Sequence, residues 1–515
     1  MSHPVIPAPV RFDAADGQFT LRPGTPIAYP AAPELAPIAE RFIEEISRRT
    51  GLHLAPTVGH PGPDEPSVRI ELAPGDELGV LSGEKPQGLS PGGGSPQDER
   101  YDLTITTGQV LVRAAEPVGV AHALTTLTQL LAAAPGSTSL PGANIADGPR
   151  YAWRGLSLDL ARTYLTPDEI RRVIDLLALY KLNVLHMHLT DDQSWRLPAG
   201  RPAGDETPYS SDDLRTLVTY AQDRFVNLVP EVDMPGHMSA LLGMHPELNA
   251  GRSQAGQQTR AAWLDPTVPA TFPLVEDLLT SVAGIFPSPY LHLGGDEPWG
   301  MPHDLYVSFV QRARAFVRTL GKRPLGWQES ARAGLDQTDI VQYWLSGIAL
   351  APSLPAEVLA KIDADVALAR RDVETVIAAQ VPVIVSPQSH CYLDVPYAEP
   401  SADLEQADRQ ARAGLRLYAP ITVAQSFDWE PSHALGEEHA TQVAGVEAAI
   451  WAETISDFGD LTFLLLPRLP GVATKAWSAP QASVWAEHRD CLARHARLWA
   501  QDDLTYFRTS AVNWL

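Results

Sequence analysis

The sequence predicts an α/β fold class, a (β/α)8 TIM barrel preceded by a small α+β domain. Three observations lead there. From residue 151 onward, short apolar runs alternate with segments of helical periodicity, and eight such runs follow one another over about 300 residues. Residues 1–150 lack that alternation and mix helices with half-buried strands. No Gly-rich phosphate turn follows the first barrel run, so a doubly wound open sheet is only the second choice.

In the first unit, 34–50 has apolar residues at helical spacing (Leu35, Ile38, Phe42, Ile46) and stops before Gly51. Residues 68–72, 101–105 and 110–113 read as strands, and 119–133 as a second helix. The stretch 81–97 is rich in Gly, Pro and Ser and is expected to be a mobile loop. This unit, 1–150, carries no catalytic constellation and reads as a structural support for the barrel.

The barrel is expected over 151–482. Its first strand is 156–160, and Thr166-Pro167-Asp168-Glu169 then opens a helix with a capping box and Pro at its first position. Ile170, Val173, Ile174 and Leu177 form that helix's inner face. Further strands are expected at 183–188, 227–232, 291–293, 324–327, 340–344, 383–385 and 446–450, with a helix at 303–320 that stops at Gly321. The tail, 483–515, holds a helix at 483–498 expected on the outside of the barrel.

Composition excludes several function classes. The 515 residues carry a net charge of −23, which disfavours phosphate backbones, so no nucleic-acid partner is expected. Cys391 and Cys491 are the two cysteines, too few for a disulfide framework or a Cys-based zinc site. Residues 1–18 lack the basic segment and apolar core of a signal peptide, and no apolar run is long enough to span a membrane. A cytoplasmic protein without a membrane partner is therefore expected, or a secreted one if a leader was removed.

Catalysis in such a barrel happens at the C-terminal ends of the strands. Chemically capable residues collect there: Asp159 and Arg162 after strand one, His188, Asp191 and Asp192 after two, Asp233 and His237 after three. Asp296 and Glu297 follow strand four, Trp327 five, Trp344 six, Tyr392 and Asp394 seven, and Trp451 and Glu453 eight. Adjacent carboxyls such as Asp296 and Glu297 raise one another's pKa, which keeps one acid protonated near neutral pH. Carboxylates, an Arg and several Trp around one mouth suit a sugar, whose apolar face stacks on aromatic rings while its hydroxyls meet charged groups. Two other readings stand beside this one. His186-Met187-His188 places two imidazoles on one strand face and allows a metal-dependent barrel hydrolase. A catalytically inactive sugar-binding protein is the other, although it has no need of an adjacent Asp-Glu pair.

Taken together, these segments resemble glycoside hydrolase family 20, the β-N-acetylhexosaminidases, across essentially the whole chain. The resemblance rests on Arg154-Gly155 with Asp159-Leu160-Ala161-Arg162, on His186-Met187-His188-Leu189-Thr190-Asp191-Asp192-Gln193, and on Pro230-Glu231-Val232-Asp233-Met234-Pro235-Gly236-His237. His292-Leu293-Gly294-Gly295-Asp296-Glu297, Gly326-Trp327, Tyr343-Trp344, Tyr392-Leu393-Asp394 and Trp451-Ala452-Glu453-Thr454 complete it in order. It implies hydrolysis of terminal non-reducing N-acetylhexosamine from a small oligosaccharide or glycoconjugate, with no metal or organic cofactor. Glu297 would be the general acid/base, and Asp296 would orient the 2-acetamido group and stabilise its positive charge. Tyr392 would bond the acetamido oxygen, with Trp327, Trp344 and Trp451 as walls. Arg162, Asp394 and Glu453 would hold hydroxyls with Trp429 nearby, Asp191 and His237 would support Glu297, and His292 and Asp233 would lie behind them. Two departures stand near the mouth: a short Pro/Gly-rich stretch at 198–208 and a long one at 347–373, which affect subsites beyond the first sugar.

A retaining glycosidase ordinarily uses two carboxyls about 5–5.5 Å apart, as acid and nucleophile. Sequence neighbours in extended chain point opposite ways, which makes Asp296 and Glu297 an awkward pair of that kind. A nucleophile supplied by the substrate's own acetamido oxygen removes the difficulty, and this is a recognised exception for the family.

Overall fold

The computed structural model describes residues 3–59, 62, 65–79, 86–132, 136–200, 209–249, 262–345, 347, 350–351, 354–482 and 484–514. The 201–208 part of the short segment near the mouth, and parts of the long one, lie outside them.

The N-terminal unit is a seven-stranded mixed sheet: β1 (Arg11–Thr20), β2 (Pro26–Tyr29), β3 (Ala55–Val58), β4 (Ser67–Leu72), β5 (Tyr101–Ile105), β6 (Gln109–Ala114) and β7 (Ser139–Asp147), ordered β1-β7-β5-β6-β4-β2-β3. Helices Leu35–Thr50 and Pro117–Ala132 cover it, and Leu35, Ile38, Phe42 and Ile46 are all buried as their spacing requires. The sequence pattern marks β4, β5 and β6 and misses the other four. Two of those, β1 and β3, are edge strands with little burial, and β7 is interrupted by Pro141 and Gly142, so none shows a full apolar alternation.

The barrel is closed, with eight parallel strands: β8 (Trp153–Asp159), β9 (Val184–His188), β10 (Asn227–Glu231), β11 (Tyr290–His292), β12 (Arg323–Trp327), β13 (Ile340–Tyr343), β14 (Val383–Val385) and β15 (Val443–Ile450). Each is buried on both faces, which is why each reads as a short apolar run. The first and last strands start three residues earlier than expected, because their first turns pair with each other through Gly445 and Trp153. Thr166 and Glu169 form the expected capping box.

The stretch expected to be a mobile loop behaves differently in its described part. Gln87 donates its N–H to Arg150 O at 2.9 Å and accepts from Ala152 N–H at 2.8 Å. Leu89 N–H reaches Ala444 O at 2.8 Å, and the Tyr290 hydroxyl donates to Ser90 O at 2.7 Å. Leu89 shares one buried cluster with Trp153, Val184, Val229, Leu325 and Ile340, which are first or third residues of their strands, so it plugs the lower end of the barrel. Gly, Pro and Ser here mark irregular backbone, while hydrogen bonds to Arg150, Ala152, Ala444 and Tyr290 hold it in place.

Above this apolar layer the interior turns polar. Where branched aliphatics ordinarily fill a TIM barrel, this one holds His186, Glu231, His292, Gln342 and Glu447, all buried. Buried ion pairs also weld the two units together, Lys181 to Asp147 at 2.8 Å and Arg154 to Glu99 at 2.6 Å. The C-terminal helix Trp485–Gln501 lies along this seam, contacting helix Pro117–Ala132 and bonding Tyr180 through His495 and Trp499.

Candidate active site

The mouth is built around the turn that ends β11. Gly294 and Gly295 take φ of 63° and 99°, and a Cβ on Gly294 would fall 1.7 Å from Asp233 Oδ1. The same oxygen accepts the Gly295 N–H at 3.1 Å. The chain thus turns tightly against Asp233 and sets the next two carboxyls at the mouth. Glu297 itself has φ of 45°, a left-handed conformation that is strained for a non-glycine residue. Asp296 Oδ2 and Glu297 Oε2 lie 3.5 and 3.8 Å from the same nitrogen, His237 Nε2. This corrects the sequence argument: the backbone here is not extended, and both carboxyls face one imidazole.

Burial pushes the Glu297 carboxyl up to about 7, reinforced by the charges of Asp296 and Asp365 and opposed by His237 and Arg162. Its side chain keeps 37% of its surface open to the cleft, so a reactant can reach it. Burial lowers the His237 pKa, but the Asp233 and Asp296 charges outweigh it and hold the imidazole well above its ordinary value. His237 Nδ1 contacts Asp191 Oδ1 at 3.3 Å, and Asp191 Oδ2 accepts from His188 Nε2 at 2.9 Å.

Four aromatic side chains form one cluster at the mouth, and one of them, Tyr392, lies within reach of the Asp296 charge. Tyr392 and Trp344 stack with centroids 6.1 Å apart, Trp451 meets Tyr392 edge-on at 6.0 Å, and Trp327 packs on Trp451 at 5.9 Å. Their orientations are fixed from behind: the Trp327 indole donates to Glu231 Oε1 at 2.9 Å and the Trp344 indole to Glu329 Oε2 at 3.1 Å. On the other flank Arg162 bridges Asp159 at 2.9 Å and Asp191 at 2.8 Å, and its Nε lies 3.6 Å from Glu453. Asp394 is fully buried, and among the described residues no side chain bonds its oxygens; only the backbone at Asp394 and Trp451 approaches them. Burial, together with the Glu453 charge, pushes its carboxyl up to about 8. A buried carboxyl left so is costly, and it is suited to bonding hydroxyls of a ligand.

The family model described as glycosyl hydrolase family 20, catalytic domain, matches residues 151–303 and 299–480, and that for domain 2 of the same family matches 2–148. The chain belongs to glycosyl hydrolase family 20. A β-N-acetylhexosaminidase of Cellulomonas fimi is 34% identical over 99% of this chain and 97% of that one. The family 20 β-N-acetylhexosaminidase structure from Streptomyces coelicolor A3(2) superposes with a TM-score of 0.81 at 30% identity, covering 99% of each chain. The N-acetyl-β-hexosaminidase of Streptomyces plicatus, in complex with Thio-NAglucal, does so at 0.81 and 30%, covering 99% of this chain and 98% of that one. As a family 20 member the chain is a glycoside hydrolase.

Eleven of the twelve site residues that the sequence singles out gather at this family 20 mouth: Arg162, Asp191, His237, Asp296, Glu297, Trp327, Trp344, Tyr392, Asp394, Trp451 and Glu453. Trp429 is not brought into the group. Its ring stacks on His390 at 5.6 Å and packs against the main hydrophobic core, and the next residue, Glu430, pairs with Arg150, which precedes the first barrel strand. Sequence reasoning misses Glu329 and Tyr418. Glu329 lies two residues beyond Trp327, close enough to the strand end for its position to be a usable signal. Tyr418 clusters with Tyr392 and Val395, but it comes from a loop far from any strand end, where no sequence signal marks it.

Proposed function

We propose that the chain is an exo-acting β-N-acetylhexosaminidase, removing terminal non-reducing N-acetylhexosamine (GlcNAc or GalNAc) with retention, and that the substrate's acetamido oxygen is the nucleophile. The observation that carries this reading is the aromatic cluster of Trp327, Trp344, Trp451 and Tyr392, whose Tyr392 feels the Asp296 charge, at one mouth with a Glu297 protonated near neutral pH. An acetamido group gripped there is held in its attacking pose, and well-oriented intramolecular attack reaches effective molarities of ~10⁵–10⁸ M. Glu297 protonates the leaving oxygen, while the acetamido oxygen bonds to the anomeric carbon and forms a bicyclic oxazolinium. Asp296 faces the positive charge on the amide nitrogen. Water, deprotonated by Glu297, then opens the ring and restores the β configuration. Arg162, Asp394 and Glu453 hold the hydroxyls. A Streptomyces plicatus β-hexosaminidase mutant, 29% identical, was solved with its product GlcNAc, which supports a sugar of this size.

The deciding measurement is NMR of the first-formed anomer from an aryl N-acetyl-β-glucosaminide, run beside the plain β-glucoside. A β product and a glucoside that is hardly cleaved are expected. An α product, or comparable cleavage of the glucoside, refutes substrate assistance.

The metal-dependent reading has three donor groups among the described residues: His186, Glu231 and His292; His188, Glu231 and Asp233; and Asp191, Asp233 and His237, the last with Asp191 already bonded to His188 and Arg162. Yet Glu231 Oε2 already accepts from His188 at 2.6 Å and Oε1 from the Trp327 indole at 2.9 Å, and that indole packs over His292 and His186. The inactive-binder reading gives no reason for the strained backbone at Glu297.

A further inference from the structure

The carboxyl assigned as acid is one end of a longer array. Below it, His237 lies 3.8 Å from Glu297 and 3.3 Å from Asp191, and Asp191 accepts from His188 at 2.9 Å. His188 Nδ1 donates in turn to Glu231 at 2.6 Å. His186 Nε2 stands 3.2 Å from that same Glu231 oxygen, and its Nδ1 donates to Glu447 at 2.9 Å. Seven side chains therefore alternate carboxyl and imidazole from the barrel's interior to the mouth, and the lower five are buried. Gly155 on β8 makes room for the last of them, since a Cβ there would come 2.4 Å from Glu447 Oε2.

Stability alone does not account for this column. Well-packed apolar side chains of similar volume serve a barrel interior as well as buried ion pairs or better. We propose that the column is an electrostatic device that sets the proton affinity of Glu297 from inside the barrel, with His188, Glu231, His186 and Glu447 as positioning residues for the reaction. The inference rests on Glu297 as the general acid.

Each imidazole sits between two carboxyls, which favours its charged form. Although burial lowers it, the His186 pKa is carried up to about 9 by Glu231 and Glu447. Burial lowers the His188 pKa too, and Glu231 and Asp191 carry it well above its ordinary value. Other groups face the column from the sides. Arg162 reaches Asp191 at 2.8 Å, His292 lies 3.0 Å from Glu231, and the Trp153 indole and the Gln342 amide donate to Glu447. Asp233 and Asp296 act on His237, while Asp296, Asp365 and Arg162 act on Glu297. Alternation keeps like charges apart, so removing one member leaves an uncompensated charge whose sign is known.

His188→Gln removes a positive charge between Glu231 and Asp191 and should raise the proton affinity of Asp191 and Glu297 together. The pH profile of kcat/KM should then move to higher pH by roughly one unit, from a Coulomb interaction over ~10 Å at an effective dielectric of about 20. Glu447→Gln removes a negative charge farther off and should move it to lower pH by about half a unit. KM for an aryl N-acetyl-β-glucosaminide should change less than about threefold in either. Opposite displacements support the inference. Profiles that coincide with the parent's in both variants overturn it, even where kcat falls; if His188→Gln does not fold, Glu447→Gln alone decides. Nitrogen-15 NMR of the histidines in the unaltered chain decides without any variant: His186 and His188 should be imidazolium at pH 7, and neutral rings overturn the inference. Glu297→Gln, assayed on good and poor leaving groups, separates the two failures. Equal losses there remove the acid assignment, whereas a leaving-group dependence with unmoved profiles removes the column's role alone.

Discussion

Replacing Glu297 with Gln keeps the size of the side chain and removes its proton. In the parent, a carboxyl of pKa about 7 that must be protonated gives activity that is full at low pH and falls as pH rises through 7. At pH 9 about 1% of it is protonated, so kcat/KM on a disaccharide should have dropped about a hundredfold from its plateau. Glu297→Gln should lose ~10²–10⁴ on that substrate, the usual worth of a general acid, and its profile should lose the high-pH limb. A dinitrophenyl glycoside leaves with little protonation, and its first step should lose roughly tenfold or less. The assay is kcat/KM from pH 4 to 10 on both substrates, parent beside variant, with circular dichroism to check the fold. Equal losses on the two substrates, or a high-pH limb that survives in the variant, would refute the reasoning.

Asp296→Asn should lose at least about a hundredfold in kcat with an unchanged fold, and should weaken binding of a thiazoline mimic of the oxazolinium more than binding of product, as inhibition constants would report. Gly294→Ala places a methyl 1.7 Å from Asp233 Oδ1 at a φ of 63°, so the Asp296–Glu297 turn must move, and activity should fall by more than about tenfold with a lower apparent Tm. Leu89→Ala empties the plug and should destabilise by roughly 2–5 kcal/mol, seen as a lower Tm, while kcat at 25 °C stays within about twofold because the opposite end is untouched.

How much of this is legible in the sequence depends on which interactions set each part. Barrel strands are buried on both faces, so 383–385 and 340–344 stand out as apolar runs, and the residues just past them mark the mouth without further information. Nearly the whole candidate site is readable that way. The parts that escape such reading are set by distant partners. Residues 86–97 have a loop's composition, but their hydrogen bonds are to Arg150, Ala152, Ala444 and Tyr290. Trp429 has the chemistry of a sugar platform, yet it follows the helix Val423–Phe427 and stacks on His390, beside a Glu430 that pairs with Arg150. The orientation of Asp296 and Glu297 depends on a left-handed backbone that residue identity does not announce.

The plug also bears on how the chain is made. Leu89 leaves the ribosome about 60 residues ahead of Trp153, the first barrel residue it touches, at synthesis rates of roughly 5–20 residues per second. The floor piece, a stopper for the ring, is therefore made before the residues that hold it, and its bonds to Ala152, Ala444 and Tyr290 form only as the ring closes. A gene fragment starting at residue 151 would lack that stopper and the partners of Lys181 and Arg154. Its product would carry an open apolar floor and two stranded buried cations, a state prone to clump. Shuffling this catalytic half alone onto another scaffold is thus a poor route to new enzymes; the inheritable module is the pair.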